Sequence, residues 1–418
     1  MTMRASNVLL ALVFAVTRVH ADGGIFDPDP QHPWNRLDTL LTTDEPVPDF
    51  RTANANEQYQ RWLFTGPRYE RALSELDAFV KHKSDRLIRD PVKRALLQSK
   101  LWTIFDSVSD PTGDYRQERN AIARRAAAIV QRLALTETEI AALPDNYATT
   151  IEAKKFPTSH EPVTDTLPFL PPDLLPVGRA WLAISDSFGL PPAAAQHAEA
   201  VQGRSLFYVL LRLPAGIPQT EAYTRTLADY PRPYAWEESY AQHPYARSTV
   251  RVAPNLPQFP AGTQVALVRR MMLPDSNGEL RLTPIIESIQ IRLYVTDPVA
   301  DSEHSRQAAF EFRLSPKDLL IDGSGLRATG RPVREPRTLF TWPSMFSGGC
   351  SNCHAASGIY SVQTYTQDFG RRRPSPWFEA VSSDAYLNLH GLNWKKRRYE
   401  WGLLEGMWRV RSHSAAER

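Results

Sequence analysis

At 418 residues the chain has room for two to four domains at the usual ~100 to 200 residues each. Its 42% hydrophobic and 23% charged content is ordinary for a globular protein, which excludes disordered, collagen-like and multi-span membrane classes. Two counts stand out: 34 Pro against 20 Gly predicts extended or rigidly turned connections, and 2 Cys are too few for a disulfide framework.

The first residues read as an export leader. Arg4 precedes the apolar run Val8 to Val16, and Val19-His20-Ala21 carries small residues where a signal peptidase reads, so residues 1–21 are expected to be removed. Nine apolar residues cannot span a bilayer, and no later stretch is long enough to do so. Loss of Arg4 and Arg18 leaves 47 basic against 46 acidic side chains, a net charge of +1. A nearly neutral exported chain carries no electrostatic case for nucleic acid, and none is expected as a partner.

Residues 22–150 read as a helical domain. After Pro67, Tyr69, Leu73, Leu76 and Val80 recur at helical spacing. Asp90-Pro91 supplies an N-cap followed by proline at the first helical position, ahead of Leu97, Leu101, Ile104, Phe105 and Val108. Ile122, Ala126, Ile129, Val130 and Leu133 form one face of a third helix, and Thr136 with Glu139 has the spacing of a capping box. Residues 151–200 hold eight prolines and are expected to be a connection.

Over residues 201–330 the period changes to two, predicting an antiparallel β domain. Leu206 to Leu213 is a short apolar run of buried-strand length; Ile289, Ile291, Leu293 and Val295 alternate with polar residues, as do Phe310, Phe312 and Leu314. Asn277-Gly278 suits a two-residue hairpin turn. Residues 331–418 hold five of the ten Trp; Trp394, Trp401 and Trp408 are seven apart and would form a stripe on one continuous helix. The expected fold class is therefore α+β, with a mainly helical or irregular C-terminal segment.

That segment contains both cysteines, in Cys350-Ser351-Asn352-Cys353-His354. CxxCH is the signature of covalent haem attachment: two intervening residues set the thiols at the separation of the haem vinyl groups, and the adjacent imidazole lies under the iron. Two cysteines and ten histidines placed at random would give this arrangement in one of ~8,000 such chains. Two alternatives remain open. The pair could close as a disulfide or do thiol redox work, although no strand pattern precedes it as a thioredoxin-like unit requires. Zinc lacks a fourth clustered ligand.

On these residues the segment resembles a c-type cytochrome, within a chain similar to large exported bacterial proteins that carry a C-terminal CxxCH. The resemblance implies one covalent haem c held by Cys350 and Cys353, with His354 as proximal iron ligand, periplasmic location, and a redox protein or small electron donor or acceptor as partner. Ala355-Ala356-Ser357-Gly358 follows the motif and no Met precedes Pro, so the distal ligand departs from the small-cytochrome pattern. Met407 is the first candidate, 53 residues on and beside Trp408; His390 is the second, and an open sixth position, permitting peroxidase-like oxidoreductase chemistry, is the third reading. The basic runs Arg371 to Arg373 and Lys395 to Arg398 read either as solvated surface or as partners for haem propionates or an acidic redox protein. No GxSxG, HExxH or Walker loop occurs.

Overall fold

The computed structural model describes residues 24–41, 61, 63–109, 114–161, 165, 167–185, 195–228, 234–236, 250–252, 257–295, 307–329, 358–362 and 379–416. Among them the fold is a mixture of helices and antiparallel sheet, as the period analysis expects. The N-terminal layer contains α1 (Pro33–Leu41), α2 (Pro67–Lys81), α3 (Pro91–Val108), α4 (Arg116–Leu133), α5 (Glu137–Ala141) and α6 (Asn146–Glu152). Local chemistry sets several of their boundaries. The Asp90 carboxylate accepts the Lys93 N–H at the start of α3, and Thr136 and Glu139 form the reciprocal capping box of α5. Asp145 repeats the device for α6, accepting from the Ala148 N–H at 2.9 Å.

The seven-stranded sheet has the order β8-β7-β6-β5-β2-β1-β9, every neighbouring pair antiparallel. β2 (Ser205–Arg212), β5 (Gln264–Pro274), β6 (Leu280–Tyr294), β7 (Gln307–Leu314) and β8 (Leu326–Thr329) come from the stretch where alternation predicts strands. Two strands do not. β1 (Leu182–Ser185) lies within the Pro-rich stretch, which therefore contributes to the sheet as well as connecting, and β9 (Glu379–Val381) comes from the C-terminal segment; each is too short for a periodicity to register. A two-stranded ribbon, β3 (Tyr234–Trp236) with β4 (Val250–Val252), stands apart from this sheet.

The two faces of the sheet pack against different elements. Ala183, Leu206, Tyr208, Leu210, Ala266, Val268, Ile289 and Ile291 share one core with α1 to α6, with Leu319 of α9 (Pro316–Asp322), with α10 (Asp384–Lys396) and with α11 (Tyr399–Ala416). Phe169, Leu170, Leu174 and Trp181, from the Pro-rich stretch, are buried in that same core. On the opposite face Ile184, Leu211, Val265 and Tyr294 gather with Leu227 of α8 (Ile217–Ala228), Phe259 and Ile359, while Phe207 packs against Ala198 of α7 (Ala195–Ala200).

The β5–β6 connection corrects the turn reading. Strand pairing ends at Pro274↔Leu280, and Asp275 and Glu279 are joined by a backbone hydrogen bond of 2.8 Å around Ser276-Asn277-Gly278, a three-residue loop rather than a two-residue one. The Asp275 carboxylate accepts the N–H groups of Asn277 and Glu279, which favours the longer loop, and Gly278 sits third at φ +83°, a left-handed conformation that glycine adopts freely. The helical layer grips this tip: the Ser276 N–H reaches the Leu135 carbonyl at 2.7 Å and Gln98 donates to the Pro274 carbonyl at 2.8 Å.

The tryptophan stripe is also corrected. The helix breaks at Arg397-Arg398, so Trp394 belongs to α10 and packs beside Phe207, while Trp401 and Trp408 lie on α11 in the main core. Gly402 and Gly406 are exposed on the outer side of α11, where an added Cβ meets open space among the described residues. Gly391 is different: its Cβ would come within 2.2 Å of Leu206 Cδ1, a fully buried side chain with little room to yield. Gly391 thus sets how closely α10 lies on β2. Alanine at Gly391 should lower the urea midpoint, since overpacking costs ~1–3 kcal/mol against a helix-propensity gain of ~1 kcal/mol. The same change at Gly406 keeps only the gain and should raise the midpoint.

Burial is the main cause that raises the phenol pKa of Tyr147, Tyr208 and Tyr294 above the usual tyrosine range. Above pH ~10 the unfolded chain releases these protons first, so the folded state holds more protons and stability falls as pH rises. Phenolate absorbance should show these tyrosines ionising only with unfolding in the native protein, and near pH ~10 in denaturant.

Candidate functional site

Charged side chains from three distant parts of the chain meet where the C-terminal ends of α3 and α10 converge on the start of β2. Asp106 lies on α3 among Leu101, Ile104, Phe105 and Val108, and its side chain is wholly inaccessible. Lys395, in the last turn of α10, is equally buried and places its Nζ 2.5 Å from Asp106 Oδ2 and 2.8 Å from the Gln202 carbonyl oxygen. Arg204, just before β2, donates to the same Asp106 oxygen at 3.2 Å and to Gln202 Oε1 at 2.7 Å. The Lys395 ammonium also stands 5.1 Å from the centre of the Trp102 ring.

The electrostatics follow from burial. Loss of water pushes the Lys395 ammonium below the usual lysine range; Asp106 pulls it back up, and Arg204 adds to the depression. Arg204 is lowered chiefly by the same desolvation, opposed by Asp106. A second cluster adjoins on the opposite sheet face. Ser205 Oγ donates to Glu287 Oε2 at 2.5 Å, and Arg269 Nε lies 3.0 Å from that hydroxyl and 3.1 Å from the carboxylate. Glu287 sits where the β5–β6 register shifts between Arg269 and Met272, a bulge held by Asn146, whose amide hydrogen-bonds both the N–H and the carbonyl of Ile286. Bulges re-aim side chains, and here one brings Glu287 to Arg269 and Ser205.

The sequence-derived candidates fall elsewhere. Cys350, Cys353 and His354 lie outside the described residues, as do Arg371 to Arg373. His390 is half-buried on α10 with its ring 4.2 Å from that of Tyr386, and Met407 is half-buried on α11 against the main core. α10 packs on the sheet face that carries Leu206 and Tyr208, where Gly391 abuts Leu206 and the Tyr208 hydroxyl donates to Asn388 at 2.7 Å, whereas α11 joins the same core against the N-terminal helices, Trp401 meeting Trp102 of α3. The 3-10 turn Gly358–Ser361, the first described element after the CxxCH motif, is seated on the other face. There Ile359 is buried with Phe259, and Ser361 Oγ is 2.6 Å from the Tyr294 hydroxyl.

The basic run on α10 is not a uniformly solvated face. Lys395 is buried against Asp106, Lys396 pairs with Glu279 at 3.2 Å, and Arg398 pairs with Glu199 at 2.7 Å and Glu400 at 3.4 Å. Asp106 escapes the sequence reading: an acidic side chain between Phe105 and Val108 is its one local signal, and its partners lie 98 and 289 residues away, beyond any local pattern. No group of three or more His, Cys, Asp or Glu side chains with metal-binding proximity occurs among the described residues. No helix among them is long and apolar enough to cross a membrane. No family model, curated protein or solved structure matches the chain.

Asp106→Leu should destabilise the protein by ~3–5 kcal/mol, because the Lys395 and Arg204 cations then remain buried without the carboxylate that both of them pair with. Replacing the cluster together, as Asp106→Leu, Arg204→Met and Lys395→Met, should recover most of that loss in denaturant titration. A single variant as stable as the wild type contradicts the arrangement.

Proposed function

We propose that this chain is an exported monohaem c-type protein that passes single electrons in the periplasm. The observation that carries the reading is Cys350-Ser351-Asn352-Cys353-His354 on a chain that begins with a leader-like segment and has no other cysteine. The donor set fits the group: two thiols at the vinyl spacing and one imidazole beside them, with no competing thiol. Cys350 and Cys353 would hold haem through thioether bonds and His354 would ligate the iron. When bound, haem supplies one-electron redox chemistry, at a potential tuned by axial ligand and burial.

The remaining work falls to the chain. His354 precedes Gly358 by four residues, so covalent geometry keeps it within ~14 Å of the turn Gly358–Ser361. The Tyr294 and Ser361 hydroxyls hold that turn to the sheet, and Arg292 adds a 3.5 Å bond to the Ser361 carbonyl. Phe259, Tyr294 and Ile359 are fully buried together beneath it, an apolar and aromatic anchor that fixes where the turn sits.

Met407 and His390 remain the named candidates for the distal position. Their location across the sheet from Gly358–Ser361 favours a second reading, a haem oxidoreductase whose sixth position is left to a small molecule.

Expression with a periplasmic haem-attachment system, followed by haem staining of the denatured protein, tests the main reading. The wild type should stain and Cys350→Ala/Cys353→Ala should not; a colourless wild type from a competent host refutes it and leaves a Cys350–Cys353 disulfide protein as the alternative. In stained protein, Met407→Ala should abolish a methionine-to-iron absorption band if Met407 is the ligand. An unchanged spectrum with rapid binding of cyanide supports the open site.

A further inference from the structure

Along the inner stripe of α3, three successive turns each bury a polar side chain that keeps one atom unpaired. Gln98, Trp102 and Asp106 are spaced i, i+4, i+8 and each is fully inaccessible. Gln98 spends its amide hydrogens on the Val130 and Pro274 carbonyls, yet its Oε1 has no donor. Trp102 packs edge-on against Trp401 at 6.0 Å and lies beneath the Lys395 ammonium, yet its Nε1–H has no acceptor. Asp106 takes Lys395 and Arg204 through Oδ2, yet its Oδ1 accepts nothing. Each orphan gives up the hydrogen bond to water that it has in the unfolded chain, the charged carboxylate at the greatest cost, so three in one row call for a common partner.

The order of the orphans defines the partner's chemistry: acceptor, donor, acceptor. A halide would accept from Trp102 but repel Asp106 Oδ1 and leave Gln98 unsatisfied. Ammonium or an alkali cation would serve both oxygens but not the indole N–H, and would add positive charge beside Lys395 and Arg204. A molecule that both donates and accepts serves all three, and the side chains lie one helical turn apart, about 5–6 Å between Cβ atoms, a gap that one or two water molecules bridge.

We propose that α3 carries a short file of internal water, running from Gln98 past Trp102 to Asp106, where it completes the coordination of the Asp106–Lys395–Arg204 ion cluster. The water donates to Asp106 Oδ1 and Gln98 Oε1 and accepts from Trp102 Nε1–H. It leaves the carboxylate able to serve two cations through Oδ2 without an unpaired oxygen.

Full-length protein labelled at the indole nitrogens of its ten tryptophans provides the test, the Trp102 signal being assigned by its loss in Trp102→Phe. The expected result is cross-relaxation between the Trp102 indole proton and water, with the sign of a long-lived contact, unaffected by bromide or ammonium. A Trp102 indole proton without water contact overturns the proposal, as does a resonance that moves with added bromide or ammonium in a saturable way. Should Trp102→Phe not fold, crystals of the unaltered chain decide. Ordered solvent within hydrogen-bonding distance of Trp102 Nε1 and Asp106 Oδ1 supports the file; none there, with other buried waters visible, refutes it.

Discussion

The fold is tied together at one buried carboxylate. Asp106 receives Lys395 from the C-terminal helices and Arg204 from the entrance to the sheet, so a single α3 side chain joins the three main components of the fold. Hydrophobic contact among these parts is non-directional and would tolerate sliding. A fully buried ion cluster tolerates little, because any shift that separates Lys395 from Asp106 leaves charge in a medium that cannot solvate it. We read the cluster as fixing register more than adding net stability. Gly391 acts alongside it, since only a residue without Cβ lets α10 approach Leu206 closely enough for Lys395 to reach inward.

The sheet works as a partition. One face is committed to the large core shared with the N-terminal helices and α10–α11; the other carries smaller apolar clusters and the buried Ser205 with its half-buried partners Arg269 and Glu287. The bulge at Arg269 to Met272 is where the partition is locally remodelled, and the reciprocal Asn146–Ile286 bonds supply the backbone pairing that the irregular ladder would otherwise lose. The turn at Gly358–Ser361 is fastened on the smaller-cluster face, whereas α10, which carries His390, packs on the other face and Met407 of α11 borders the large core. If haem is bound near that turn, the helical layer serves as scaffold and the other face borders the redox group.

Much of the architecture was legible before any coordinates because it rests on local rules. Asp90, Thr136 and Glu139 cap helices within four residues of themselves, and the alternation in β6 sets buried Ile289, Ile291 and Leu293 against half-buried Gln290 and Arg292. The failures have physical causes too. Ser276-Asn277-Gly278 closes one residue longer than the dipeptide suggested because the Asp275 carboxylate reorganises the turn. The Trp394, Trp401 and Trp408 stripe assumes a continuous helix that breaks at Arg397-Arg398. β1 and β9, at four and three residues, exist only because neighbours supply their hydrogen bonds.

The sequence by itself determined the α+β class, the helix caps, the strand periods and the one motif with chemical specificity, Cys350 to His354, since each depends on residues within a few positions of one another. Only the tertiary structure decided that Lys395 is a buried partner of Asp106 rather than one cation in a surface run. It also decided that Glu287 turns toward Ser205 and Arg269, and that Met407 and His390 lie on the large-core side of the sheet, opposite Gly358–Ser361. A charge acquires its meaning from what removes its water and what replaces it. Those groups arrive from residues hundreds of positions away.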